Sequence, residues 1–138
     1  MKKYYIEPTH EAGVKLFSQG IEGEVVMLNL LRFRETADYS NHPNLAPESP
    51  ITGEQAYQRY MQHTARFLTE HGGELIFMGT ANSYFIGPSD EQWYFVMLVK
   101  QRSLQDFLAF ASNTEYLAGI GHREAAIIDS RLLPIEPR

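Results

Sequence analysis

The chain has 138 residues, 43% of them apolar and 21% charged, which is the balance of an ordinary globular domain and excludes a largely disordered segment. Its net charge is −5, from 17 acidic and 12 basic side chains, and its tight basic pairs are Lys2–Lys3 and Arg32 with Arg34, too few to track a nucleic-acid backbone. It has no cysteine, which excludes disulfides, thiolate metal sites and a cysteine nucleophile.

Met1 to Pro8 lacks the apolar stretch of a secretory signal, and the apolar runs elsewhere reach about seven or eight residues, against the roughly 20 needed to span a bilayer. The expected location is therefore the cytoplasm, with no membrane partner. Thr9 to Gly20 predicts a short helix carrying Ala12, Val14, Leu16 and Phe17. Glu24 to Phe33 predicts a strand. One face holds Val25, Met27, Asn29, Leu31 and Phe33, and the other Val26, Leu28, Leu30 and Arg32, so both faces need cover. Glu35 to Pro50, with Pro43, Pro47 and Pro50 among Asn, Asp and Ser, reads as a loop, and loops of that length in small domains are often functional.

Thr52 and Gln55 make a capping box in front of an amphipathic helix. Ala56, Tyr57, Tyr60, Met61, Thr64, Phe67 and Leu68 form its apolar face, and Gly72–Gly73 close it. Glu74 to Thr80 predicts a second strand. Turn residues Gly87 to Asp90 follow, and then a third strand over Gln92 to Lys100 that is again apolar on both faces. Ser103 caps a helix through Phe110, a short helix lies around Glu115 to Ile120, and Ala125 to Leu133 predicts a last strand stopped by Pro134.

After the opening helix this order is β-α-β-β-α-β, the split βαβ unit of ferredoxin-like α+β domains. In that topology the first and third strands are the middle of a four-stranded antiparallel sheet, and they are the two found apolar on both faces. The expected organisation is a single domain over 1–138, with a core at about 22–134, an N-terminal helix at 9–20 and a loop insertion at 35–50. Both crossover helices of the unit cover one sheet face, and bare apolar faces are rare on soluble monomers. The expected partner is therefore a second copy, packed sheet to sheet, with the opening helix covering part of the remainder.

Val26 to Phe33, Gly53 to Tyr60, Trp93 to Val99, Asn113 to Tyr116 and Arg123 to Leu132 together resemble a bacterial family, domain of unknown function 1330, over residues 22–134. The resemblance implies the dimeric α+β barrel superfamily, which holds cofactor-free monooxygenases, isomerases, haem-degrading oxygenases and binding proteins. It therefore leaves the chemistry open. Gln101-Arg102-Ser103 departs from the Tyr-Pro-Ser step expected after the third strand.

Asn29 interrupts an apolar strand, and a buried amide needs a hydrogen-bond partner, either a ligand or a neighbouring loop. Arg32, with Arg34 on its strand face, is placed to clamp a carboxylate or to form a surface ion pair. Tyr57 and Tyr60 share a helix face and either line a pocket or pack the core. Trp93 opens the third strand, as a pocket cap or as core. His122 and Arg123 stand at the mouth of the last strand, as a general base and an anion anchor or as members of ion pairs with Glu124 or Asp129. His10, His42, His63 and His71 show no metal spacing, and no haem, flavin, nucleotide or metal signature is present, so no cofactor is expected. Three functions remain: a small-molecule-binding protein with a pocket between sheet and helices, a cofactor-independent monooxygenase or isomerase of small anionic or aromatic substrates, and a structural or interaction domain.

Overall fold

The two segments that are apolar on both faces occupy the middle of the sheet. The computed structural model describes residues 3–138. Met1 and Lys2, which begin the segment weighed as a signal peptide and supply half of the Lys2–Lys3 pair, lie outside the described residues. In chain order the elements are α1 (His10–Phe17), β1 (Val25–Phe33), a 3-10 turn (Pro43–Leu45), α2 (Gly53–Glu70), β2 (Glu74–Thr80), β3 (Phe95–Gln101), α3 (Leu104–Ala111), α4 (Thr114–Leu117), α5 (Ile120–Ala126) and β4 (Ile127–Ile135). The four strands form one sheet in the order β2-β3-β1-β4, and every neighbouring pair is antiparallel.

Helix α2 forms where its ends are satisfied locally. The Thr52 hydroxyl accepts from Gln55 N at 3.0 Å, and the Gln55 side chain accepts from Thr52 N at 2.9 Å. At the other end Gly72 takes φ +78°, with Gly72 N donating to Thr69 O and Gly73 N to Leu68 O. These two bonds are those of a Schellman motif, and they satisfy carbonyls that the helix leaves open. Replacing Thr52 with Ala is expected to lower unfolding free energy by about 1 kcal/mol, and Thr52→Ser by only a few tenths, both measured by urea titration.

The helix-side face of β1 is the core. Leu31, Tyr57, Ala56, Met97, Ala125, Ala126 and Ile127 form its largest cluster, and Phe67, Phe110 and Tyr116 form another between α2, α3 and α4. Helix α1 does not reach the second sheet face as expected. Its Leu16, with Ile21, packs against Val25, Met27 and Leu104, on the same side as the other helices.

The second face therefore stays uncovered except at one end, where Tyr5 and Trp93 lie against Arg131. Register places Leu28 between Leu98 and Leu133, Leu30 beside Val96, Val26 beside Ile135, and Phe77 beside Leu98. Phe77 and Leu133 are more than half exposed. Charges bound this surface: Lys100 bridges Glu24 and Glu74 at one end, while Arg131 and the Arg32–Asp129 register pair stand at the other.

Several boundaries differ from expectation: β3 begins at Phe95 rather than Gln92, so Trp93 precedes the strand instead of opening it, and a separate helix, α5, leads into β4. Ala125 and Ala126 end a helix rather than begin the last strand, and β4 runs through Pro134 to Ile135. Proline is tolerated there because β4 is an edge strand. At the departure point Ser103 still caps α3 by accepting from Asp106 N, and Arg102 pairs with Asp106 at 2.7 Å.

Candidate functional site

The loop expected over 35–50 forms a strap closed onto α5. Its path is fixed by backbone bonds: Arg34 N to Ala126 O (2.8 Å), Asp38 N to Ala125 O (2.9 Å), Ala37 N to Ile51 O (2.9 Å) and Gly53 N to Arg34 O (3.1 Å). A Cβ at Gly53 would collide with the carbonyls of Arg34 and Ala126, so only glycine lets α2 begin this close to the ends of β1 and α5. Tyr39 is buried under the strap, and its hydroxyl meets His122 Nδ1 at 2.7 Å. One turn of chain later His42 Nε2 meets Glu124 Oε2 at 2.5 Å, where Gly121 leaves room for the imidazole.

Burial, and then the nearby charges of Arg59, His63 and His42, hold the His122 pKa below its ordinary value. The imidazole stays neutral in the fold at a pH where the unfolded chain's histidine takes up a proton. This contribution to stability is therefore complete above about 6.5, and it is lost as the pH falls from there through the lowered folded value. Urea midpoints measured from about pH 8 down to about pH 5 are expected to fall in that window, and His122→Asn is expected to flatten this part of the decline.

The strap, α5 and the N-terminal segment enclose a cleft of about 330 Å³ lined by Ile6, Glu7, Arg34, Asp38, Asn41, His42 and Glu124. Arg34 Nε is buried and its N–H donates to no acceptor among the described residues, although the guanidinium borders the cleft. Hydrogen bonds from Ser40, assisted by the charge of Arg34, hold the Asp38 carboxyl below its usual range.

The residues expected from sequence fall into separate places. Tyr57 and Tyr60 do share a face, and Arg123 lies near enough for its charge to act on Tyr57. They are joined by Tyr116, whose hydroxyl meets that of Tyr60 at 2.7 Å. Rings fill the space between α2 and the sheet, with Tyr57 5.5 Å from Phe33 and 6.3 Å from Phe95. Asn29 satisfies its amide within its own strand, donating to Met27 O at 3.2 Å. Arg123 donates to Ile6 O at 2.5 Å and ties down the N-terminal segment. His122 and Arg123 stand on α5, not at a strand mouth.

Trp93 belongs to another cluster. Its indole N–H donates to Tyr84 Oη and Glu91 Oε2, and the Arg131 guanidinium lies 4.9 Å from both the Trp93 and Tyr5 rings. Arg34 lies past the end of β1 at Phe33, and it and Arg32 border different clefts. Arg32 lines a second cleft, of about 290 Å³, with Ser89, Asp90 and Gln92. Among the described residues no three His, Asp or Glu side chains gather as metal ligands, and no helix is long and apolar enough to cross a membrane.

Sheet order, strand directions and the one-sided helix layer define a ferredoxin-like α+β protein. The pattern of the family described as domain of unknown function 1330 matches residues 47–135, well over half of the chain, and the protein belongs to that family. Among solved structures, the RPA0582 protein of Rhodopseudomonas palustris, of unknown function, is 30% identical with a TM-score of 0.87, over 99% of this chain and 98% of that one. Its methylated form gives a TM-score of 0.86 at 30% identity, over 98% and 96%. A protein of unknown function from Bacteroides fragilis, described as dimeric and ferredoxin-like, is 12% identical with a TM-score of 0.50, over 85% of this chain and 99% of that one. No curated protein matches the chain.

Proposed function

We propose that this protein is a small-molecule-binding homodimer, paired through its second sheet face, with a ligand held in the cleft between strap, α5 and N-terminal segment of each subunit. The binding half rests on Arg34. Its backbone is fixed by bonds to Ala126 and Gly53, yet its guanidinium borders an open cleft with no ion-pair partner among the described residues. A cation held in place beside unfilled space is suited to an incoming polar group. The pairing half rests on the apolar centre and charged rim of the second face, the composition of a protein interface. The Bacteroides fragilis relative, described as dimeric, supports it by fold alone. The expected setting is the cytoplasm, without nucleic acid.

Native mass spectrometry of freshly purified protein, with the denatured mass as control, tests both halves. A dimer with added small-molecule mass supports the reading. A monomer overturns the pairing, and a dimer without added mass favours a structural or interaction domain.

A second reading is favoured by the Tyr39–His122 bond. In the tautomer whose Nδ1–H donates to the Tyr39 oxygen, Nε2 keeps its lone pair, and His122 then acts as a general base on a small anionic or aromatic substrate in a cofactor-independent reaction. Uptake of solvent deuterium at acidic C–H positions of small ketones and lactones, followed by proton NMR, tests it. Exchange that survives His122→Asn overturns that role.

A further inference from the structure

The charges around the 330 Å³ cleft are mixed in a way that a singly charged molecule does not satisfy. Arg34 is the fixed cation. Glu7, Asp38 and Glu124 are the acids, and they are not equivalent. Glu124 is occupied by His42 at 2.5 Å, and Asp38 accepts the Ser40 N–H at 3.0 Å. Glu7, like Arg34, has no side-chain hydrogen bond or ion pair among the described residues. The two charges without partners therefore border the same cleft with opposite signs.

A simple anion on Arg34 would stand among three carboxylates. A simple cation near Glu7 would leave the guanidinium unsatisfied and add to its charge. Like charges brought together in a cleft cost binding energy, and opposite pairs recover it. The volume is at the low end of ordinary ligand pockets, roughly 300–1,000 Å³, so one small molecule fills it. Ile6 is the apolar side chain of the lining, enough for a short aliphatic frame.

We infer that the cleft binds a small zwitterion, with its carboxylate on the Arg34 guanidinium and its ammonium on the side of Glu7 and Asp38. This deepens the binding reading above and rests on it. The strap supplies the geometry. The Arg34 backbone is tied to α5 and to the start of α2, and Asp38 N is tied to Ala125 O, so the main chain that carries the cation and one acid is set before a molecule arrives.

Titration calorimetry on the full chain tests the inference with glycine, β-alanine, 4-aminobutanoate and 5-aminopentanoate as probes. Each is paired with its N-acetyl form, which lacks the ammonium, and its amide, which lacks the carboxylate. The expected result is that at least one amino acid binds and both of its derivatives bind at least tenfold more weakly. Arg34→Gln and Glu7→Gln should each weaken that amino acid at least tenfold, with the thermal midpoint of the unliganded protein unchanged as a check on folding. A derivative that binds as tightly as its parent overturns the zwitterion and leaves the cleft as a binding site. Failure of all four amino acids overturns it too. In that case a different compound in the native mass spectrum, lost from Arg34→Gln protein, keeps the binding reading, and an empty spectrum removes both.

Discussion

Leu28→Arg is expected to turn a dimer into a folded monomer, read by size-exclusion chromatography with light scattering. Leu28 is on the middle strand pair and stands between Leu98 of β3 and Leu133 of β4, with Leu30 and Val26 on either side along the strand. In a twofold pairing of this face each subunit would bring its own residue 28 to the interface, so one substitution would place two guanidinium groups where water is excluded. Like charges so placed cost several kcal/mol, and about 4 kcal/mol raises a dissociation constant on the order of 10³-fold. The helix-side core keeps Val25, Met27 and Leu31 untouched, so the circular dichroism spectrum should remain that of the native fold. Leu28→Met, similar in volume and apolar, should leave the dimer intact. A Leu28→Arg protein that remains dimeric would mean that the subunits pair elsewhere or that the face is covered by something other than a second copy.

The placement of this face was legible in the sequence for a simple reason. A strand apolar on both sides must be central and doubly covered, and β1 and β3 are the two central strands. The α2 ends were equally readable, because Thr52, Gln55 and Gly72 act through bonds to residues three or four positions away. What failed to show was whatever depends on distant partners. Tyr39 looks like one aromatic residue in a polar loop, and its burial comes from His122, 83 residues further on. Arg34 reads as an extension of the Arg32 face, but β1 ends at Phe33 and the two arginines border separate clefts. Helix α5 has seven residues, Ile-Gly-His-Arg-Glu-Ala-Ala, too short for an apolar period, so Ala125 and Ala126 read as the start of β4 and His122 and Arg123 were placed at its mouth. Pro134 read as a stop because edge position, which makes proline acceptable in a strand, is a property of the finished sheet.

The second large effect is expected at Tyr57, where the sequence left pocket lining and core packing side by side. The ring is 2% exposed and lies within 5.2 to 6.3 Å of Tyr60, Phe33 and Phe95. Truncating an aromatic side chain in such a setting removes its transfer free energy and leaves a cavity that neighbours fill only in part. Tyr57→Ala should therefore cost about 3–5 kcal/mol of unfolding free energy by urea titration. For a chain of this length that lowers the thermal midpoint by roughly 10 °C or more. Tyr57→Phe keeps the ring contacts and should stay within about 1 kcal/mol of the parent, which assigns the loss to packing rather than to the hydroxyl. Burial pushes the phenol pKa upward, so the group is neutral in the fold and no change of charge at Tyr57 enters the comparison at neutral pH. A residue that lined a ligand site would behave differently, because its truncation would weaken binding while costing little stability. If Tyr57→Ala unfolds at the parent's urea midpoint, the aromatic layer between α2 and the sheet is open to a ligand rather than core, and the site moves from the strap to that layer.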